Sequence, residues 1–120
     1  MNVLIIEDSL TAAMTLEAFV SACGHHPLCV PNAWLAFPVA DAWPIDLVLL
    51  DIMLPGMDGY ELAGRLREQG IRVPIVAVTS LEDDPAKRQQ YGIDGHVAKP
   101  VSMKQLKDLL EGLNLAMSAR

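Results

Sequence analysis

Five short apolar runs recur along this chain and alternate with segments of helical patterning. The most apolar run is Leu47–Leu50, which is too short to form a helix by itself. A continuous apolar run of this length is typical of a strand buried on both faces of a parallel sheet. Strands that alternate with helices through short loops favour right-handed crossovers. The sequence therefore predicts an α/β fold: a doubly wound, five-stranded parallel sheet of (βα)5 type, with helices on both faces.

The positions of the elements follow from these runs and from residues that favour helix N-termini. Strands are expected at residues 2–6, 27–30, 47–50, 75–79 and 95–98. The expected N-caps of the five helices are Ser9, Asn32, Asp58, Asp84 and Ser102. Asp58 with Glu61, and Ser102 with Gln105, also have the spacing of a capping box. Each predicted strand is therefore followed by a helix with its own start signal.

The second and the last helix carry specific expectations. Pro38 lies inside the second helix and removes a hydrogen bond there, so we expect that helix to be kinked or shortened. Three large apolar side chains should still anchor it on the sheet, namely Trp34, Leu35 and Phe37. The last helix has an apolar stripe, formed by Leu106, Leu109, Leu110 and Leu113. Residues 115–120 are expected to form a frayed tail.

Composition and charge restrict the class of protein. A chain of 120 residues with 52% hydrophobic residues fits a single domain, residues 1–120. Its formal net charge of −6 argues against direct binding of nucleic acid, and its apolar runs are far shorter than the roughly 20 residues of a membrane span. Met1 stands directly before the first strand, which leaves no room for a signal peptide, so we expect a cytoplasmic protein. Cys23 and Cys29 lack metal-site spacing and are expected to be free thiols.

Chemically active side chains stand at the carboxyl ends of four predicted strands. Glu7 and Asp8 follow the first strand, Asp51 follows the third, Thr79 ends the fourth and Lys99 follows the fifth. In open parallel sheets this edge is where ligands bind. If the first, third and fourth strands are neighbours, the three carboxylates converge in one pocket. Carboxylates that lie this close repel one another.

A divalent cation would relieve that repulsion. Carboxylate oxygens, a backbone carbonyl and water are the ligands that Mg²⁺ prefers. A phosphoryl group would fit beside the cation, between the Lys99 ammonium and the Thr79 hydroxyl. Asp51 would then be the nucleophile, because carboxylates form aspartyl phosphates.

Taken in their order along the chain, these segments resemble the response-regulator receiver domain of bacterial two-component signalling. The matching segments are residues 3–9, 49–59, 78–80 and 95–100. The resemblance spans essentially the whole chain and implies a flavodoxin-like sheet with strand order 2-1-3-4-5, as in chemotaxis receivers. It also implies a domain that takes a phosphoryl group from a sensor histidine kinase or phosphotransfer protein and regulates a downstream output protein or domain.

The resemblance assigns roles residue by residue. Asp51 would be the phosphoacceptor, and Lys99, joined to Pro100 by a cis bond, would bind a phosphoryl oxygen. Mg²⁺, which Mn²⁺ or Ca²⁺ could replace, would be held by four groups: Glu7 through water, Asp8, Asp51 and the backbone carbonyl of Met53. Such a domain catalyses its own phosphorylation and slow dephosphorylation without being an enzyme in the ordinary sense.

Thr79 and His96 would form the switch. Thr79 would move toward the phosphoryl group and open space for the side chain at position 96, which would change the face built from the fourth helix, fifth strand and fifth helix. The family more often has Tyr or Phe at this position. His96 therefore leaves two readings open: a surface histidine without a special role, or a switch whose packing depends on pH, because imidazole titrates near about pH 6.5.

Other functions are compatible with parts of the pattern. A phosphatase with an Asp nucleophile often has a second carboxylate two residues later, where this chain has Met53. A non-phosphorylated interaction module on the same fold would not require all of the site groups. A flavin-binding protein would need a glycine-rich phosphate loop after the first strand, which the sequence lacks. A homodimer through the fourth and fifth helices, and a place within a larger regulator, both remain open.

Overall fold

A five-stranded parallel sheet forms the centre of the structure, a computed structural model that describes residues 1–118. The strands are β1 (Asn2–Ile6), β2 (His26–Val30), β3 (Leu47–Leu50), β4 (Ile75–Thr79) and β5 (Gly95–Ala98). Every pairing is parallel, and the strands lie in the order β2-β1-β3-β4-β5. The predicted fold class and strand order are confirmed.

Each strand is followed by one helix. The helices are α1 (Leu10–Ala22), α2 (Ala33–Ala42), α3 (Gly59–Glu68), α4 (Pro85–Tyr91) and α5 (Met103–Ser118). Each expected N-cap accepts a hydrogen bond from a backbone N–H in the first turn of its helix. Ser102 and Gln105 complete a capping box, with reciprocal bonds of 3.0 and 3.1 Å. The capping box predicted for Asp58 and Glu61 is wrong, because the Glu61 carboxylate accepts a hydrogen bond from Arg65 one turn later instead.

The two faces of the sheet carry separate apolar cores, because successive residues of a strand point to opposite faces. Along β1, Val3 and Ile5 pack in the core that contains α1 and α5 residues. Leu4 and Ile6 pack in the core that contains α2 and α3 residues. All four side chains are fully buried. A shift of β1 by one residue would exchange the two sets, so its register is strongly fixed.

The second helix differs from its prediction. It continues unbroken through Pro38 to Ala42, so it is not shortened. Trp34 and Leu35 lie on its outer face, 59% and 48% exposed, and do not anchor it. Among the predicted anchors, Phe37 packs against the core. The side chains that α2 buries are small and have helical spacing: Ala33, Ala36 and Ala40.

The last helix is longer than expected. It continues to Ser118, so residues 115–118 are helical and do not form a frayed tail, whereas residues 119–120 lie outside the described part of the chain. The segment after Gly112 is rich in leucine, alanine and methionine and contains neither glycine nor proline, which favours a helix. Leu115 is exposed, so this last turn follows from local preference and not from burial of that side chain.

Within residues 1–118, no helix has both the length and the apolar character needed to cross a membrane.

Cys23 and Cys29 are free thiols, each partly buried. Burial raises the pKa of the Cys29 thiol far above its ordinary value, with a further contribution from Glu17. This thiol is therefore protonated and weakly reactive at neutral pH.

Strand register brings the polar strand ends to one edge of the sheet. Ile6 of β1 pairs with Leu50 of β3, so the residues that follow them, Glu7 and Asp51, leave the sheet at the same level. Thr79 of β4 pairs in the same way with Ala98 of β5. The Lys99 N–H then donates to the Thr79 carbonyl at 3.0 Å. The sheet therefore delivers two acids, a hydroxyl and a cation to one edge.

Helix α3 approaches the end of β3 closely at Gly59. A Cβ atom on Gly59 would lie 2.5 Å from the Ile52 Cα and 2.8 Å from the Asp51 carbonyl oxygen, distances that real Cβ atoms do not reach. The Gly59 N–H donates to the Ile52 carbonyl at 2.9 Å. Only glycine allows the first turn of α3 to pack directly on the segment that carries Asp51.

We expect Gly59→Ala to lower the free energy of unfolding by about 1–3 kcal/mol, because backbone must move to admit the methyl group. Gly112→Ala in α5 is the matched control, since a Cβ there meets no atom within 4 Å. That change should raise the free energy of unfolding by about 0.5–1 kcal/mol. Urea denaturation of both variants measures the difference, and a Gly59→Ala protein as stable as the wild type would contradict the close contact.

Candidate functional site

Three carboxylates meet at the carboxyl edge of the sheet. Glu7 and Asp8 follow β1, and Asp51 follows β3; one oxygen from each lies within 4.8 Å of the others. Glu7 and Asp51 are buried, whereas Asp8 is exposed at the rim. The predicted convergence of the three acids is therefore what the structure shows.

Lys99 joins two of these carboxylates. Its Nζ lies 2.9 Å from both carboxylate oxygens of Glu7 and 2.8 Å from Asp51 Oδ2. The side chain comes from the end of β5, and the Lys99–Pro100 peptide bond is cis, as the resemblance implied. A single ammonium group thus bridges the ends of β1 and β3 from a strand that is adjacent to neither.

The surroundings shift the pKa values of Glu7, Asp51 and Lys99 in different directions. For Glu7, burial is the largest influence and, with the neighbouring Asp51, raises the pKa despite the bond from Lys99. Burial also opposes ionisation of Asp51, but hydrogen bonds from Lys99 and from the Met53 N–H outweigh it and hold the pKa below its ordinary value. Burial would lower the pKa of Lys99, yet its bonds to Asp51 and Glu7 outweigh burial and raise it. Asp51 and Lys99 are therefore an ion pair at neutral pH.

The cluster carries more negative than positive charge. Three carboxylates face one ammonium group, and Asp8 has no ion-pair partner among residues 1–118. The excess charge lies on the exposed side of the cluster, where an ion can enter from solvent. A set of hard oxygen donors with an open side fits Mg²⁺ and related divalent cations.

The loops that follow β3 and β4 carry further polar and apolar groups. The Met53 N–H donates to Asp51 Oδ1 at 2.9 Å, and Thr79 Oγ1, which is buried, accepts from the Leu81 N–H at 3.4 Å. The side chains of Met53 and Leu81 in these loops are exposed. Ser80 Oγ lies 3.8 Å from the Met53 sulfur, a contact between two loops that the sequence did not indicate.

A cleft of about 470 Å³ opens next to this cluster. It runs between the start of α1 and the segment after β5, and Lys99 is one of its walls. Its other walls include Ser9, Thr15, Ser80 and Pro100. A larger groove of about 1110 Å³ between α2, α3 and α4 contains none of the acidic cluster. We therefore assign the chemistry to the acidic cluster itself, which the smaller cleft adjoins through Lys99 and which the larger groove does not reach.

His96 lies apart from the acidic cluster. It sits on β5 opposite Ala77 of β4, and its side chain is 11% exposed, so it is not a surface histidine. Its Nδ1 lies 3.7 Å from Asp83 Oδ1, and Arg88 binds the same carboxylate. The sequence did not predict this partner, since Asp83 stands in an exposed run of acids that carries no signal of a contact with β5.

Comparisons with known proteins agree with this geometry. The chain is 40% identical over 76 residues to Probable histidine kinase 2 of Oryza sativa subsp. indica, a match that covers 58% of the chain and 7% of that protein. It is 30% identical over 116 residues to the sensor histidine kinase GacS of Pseudomonas protegens, covering 91% of the chain and 13% of GacS. The chain thus spans a small part of either kinase.

A solved structure of a receiver domain is also similar to this chain. The receiver domain of the sensor histidine kinase PA1611 from Pseudomonas aeruginosa superposes with a TM-score of 0.83 at 29% identity, covering 93% of this chain and 95% of that one. That domain was solved with a magnesium ion coordinated in its active site cleft. The family model of the response regulator receiver domain matches residues 3–111. The chain therefore belongs to the response regulator receiver domains of two-component signalling.

Proposed function

We propose that this receiver is a phosphorylatable signalling switch in which Asp51 accepts a phosphoryl group from a sensor histidine kinase or phosphotransfer protein. The observation that carries the proposal is the Lys99 ammonium, held 2.8 Å from Asp51 and 2.9 Å from Glu7 beside the exposed Asp8. This arrangement keeps a nucleophilic carboxylate ionised next to a cation and an open rim.

The residues that would hold Mg²⁺ are Asp8 and Asp51 directly, the Met53 carbonyl, and Glu7 through water. When bound, Mg²⁺ would neutralise the carboxylates and a phosphoryl oxygen. Support comes from the donor set itself, since the three acids offer oxygens within 4.8 Å of one another. Mn²⁺ or Ca²⁺ would fit the same oxygen ligands.

Phosphoryl transfer would proceed by attack of an Asp51 carboxylate oxygen on the phosphorus of a phosphohistidine. The new O–P bond forms as the P–N bond breaks, and the electron pair of that bond returns to the imidazole of the donor. Lys99 would bind a phosphoryl oxygen as its contact with Asp51 loosens, and the Thr79 hydroxyl would bind another. Water would hydrolyse the acyl phosphate slowly and return Asp51 to its starting state.

The response would pass through the segment after Thr79. The Thr79 hydroxyl accepts from the Leu81 N–H, so a move of Thr79 toward a phosphoryl group would pull on the loop that leads into α4. None of the residues of α4 is buried, which makes this helix easy to displace. A shift of α4 relative to β5 and α5 would then change affinity for a downstream output protein or domain.

Covalent labelling tests the phosphoacceptor. With acetyl phosphate and Mg²⁺, we expect the wild type and the Asp41→Asn control to gain one phosphoryl group by intact mass, whereas Asp51→Asn gains none. Asp41 is a matched control because it is an exposed carboxylate on α2, away from the site. Hydroxylamine should release the label, as it does from acyl phosphates. Equal labelling of Asp51→Asn would assign the phosphoryl group elsewhere, and no labelling of the wild type would favour the interaction module.

Thermal denaturation tests the metal site. Mg²⁺ should raise the Tm of the wild type, and Asp8→Asn should remove most of that rise, because the exposed ligand is lost. Without metal, Asp8→Asn should be more stable than the wild type by about 1 kcal/mol or less, the repulsion between unit charges about 4 Å apart in water. Asp41→Asn should keep the full Mg²⁺ response. A Tm that ignores Mg²⁺ in the wild type would contradict the site.

The raised pKa of Glu7 predicts a pH-dependent stability difference. A carboxyl whose pKa is raised on folding costs stability when ionised, and this cost disappears as pH falls through the folded pKa toward the ordinary value. Metal-free Glu7→Gln should therefore have a higher free energy of unfolding than the wild type at pH 7, and this difference should be smaller at pH 5. Urea denaturation at both pH values measures it. A stability difference that grows as the pH falls would contradict the raised pKa of Glu7.

A further inference from the structure

Helix α4 is held mainly by contacts at its two ends. It contains no buried residue. At its C-terminal end, Arg67 donates to the Gly92 carbonyl at 3.0 and 2.7 Å, and Tyr91 stacks against Tyr60 with ring centroids 5.9 Å apart. A helix with so little buried surface can shift when one of these contacts weakens. The contact at its N-terminal end is therefore important for its position.

That contact is a carboxylate shared between a helix and a strand. Asp83 stands directly before the N-cap of α4. Arg88, one turn into α4, donates to Asp83 through Nε and through Nη2, the latter at 3.0 Å. On the other side, His96 Nδ1 of β5 lies 3.7 Å from Asp83 Oδ1. The side chains of His96 and Asp83 are 11% and 38% exposed, so the strand side of the contact is shielded from solvent.

Protonation of the imidazole changes this contact. At 3.7 Å a neutral imidazole makes no hydrogen bond to the carboxylate, whereas an imidazolium is attracted to it as an ion. Asp83 stays ionised throughout, because the hydrogen bond from Arg88 holds the pKa of its carboxyl below the ordinary value. The Arg88 guanidinium opposes the second cation in part, and Glu82 and Asp84 on the same loop favour it. The remaining cation at the start of α4, Lys87, lies over the Tyr60 ring at 5.0 Å.

We propose that His96 and Asp83 form a proton-dependent latch that fastens the start of α4 to β5. In mild acid the latch is closed and the arrangement described above is stabilised. At higher pH it opens, and residues 80–84 together with the start of α4 become more mobile. Leu81 belongs to this loop and donates to Thr79, so the latch connects solvent pH to the hydroxyl at the site.

The latch goes beyond phosphorylation and acts in the unmodified protein. Its test therefore uses protein without metal or phosphoryl donor, and the result does not depend on whether Asp51 is a phosphoacceptor. The measurement is amide hydrogen exchange in α4 at pH 6 and pH 8, corrected for the intrinsic effect of pH on exchange.

In the wild type we expect the α4 amides to be about 1.5- to 5-fold better protected at pH 6 than at pH 8, the effect of one weak ion pair near the surface. His96→Gln and His96→Phe should remove this difference, and the two replacements test whether loss of charge or loss of packing is responsible. His26→Gln, which removes an exposed histidine of β2, is the matched control and should keep the difference.

Two results would overturn the latch. One is a wild-type protein whose corrected protection of α4 is the same at both pH values. The other is a His96→Gln protein that retains the full difference. Asp83→Asn should lower the protection of the α4 amides at both pH values, because Arg88 also loses its partner. The protection at pH 6 and at pH 8 should then be equal.

Discussion

The contact of one ammonium group with two buried carboxylates is the interaction on which this site depends. Lys99 reaches Glu7 and Asp51 at 2.8–2.9 Å from the end of a strand that is three positions away from β1 and two from β3 in the sheet. Two buried carboxylates without a cation would cost several kcal/mol. The ammonium group offsets the cost of burying these two carboxylates but does not neutralise the charge of Asp8. The site is therefore stable enough to fold and still carries an unmet negative charge at its open side.

The two buried acids are not equivalent, although both bind Lys99. Glu7 lies deeper and its pKa is raised by burial, whereas the bonds that Asp51 receives from Lys99 and the Met53 N–H keep its pKa low. A deep acid that resists ionisation and a shallower acid that stays ionised suit different roles. The first holds Lys99 within the cluster, and the second presents a charged oxygen beside the exposed Asp8.

Sequence reasoning succeeded where a local rule decides the outcome. Strand ends locate Glu7, Asp51 and Lys99, because parallel strands finish at one edge whatever their loops do. It failed where packing between distant segments decides. Trp34 reads as an anchor by size, but the alanines of α2 set the buried face. The partner of His96 depends on how an acidic loop folds over β5, and no spacing in the sequence encodes that distance.

The burial of the strands has a consequence for where change can occur around the cluster. Strands β1, β3 and β4 are buried almost throughout, whereas β5 is only partly buried and α4 buries none of its side chains. Glu7 and Asp51 are thus attached to the least deformable part of the molecule. Strand β2, at the other edge, is also partly exposed, but the helix that follows it buries three alanines, so a change at the cluster should spread more readily toward β5 and α4. A partner that contacts the β2 edge would therefore meet a surface that changes less than the surface formed by β5 and α4.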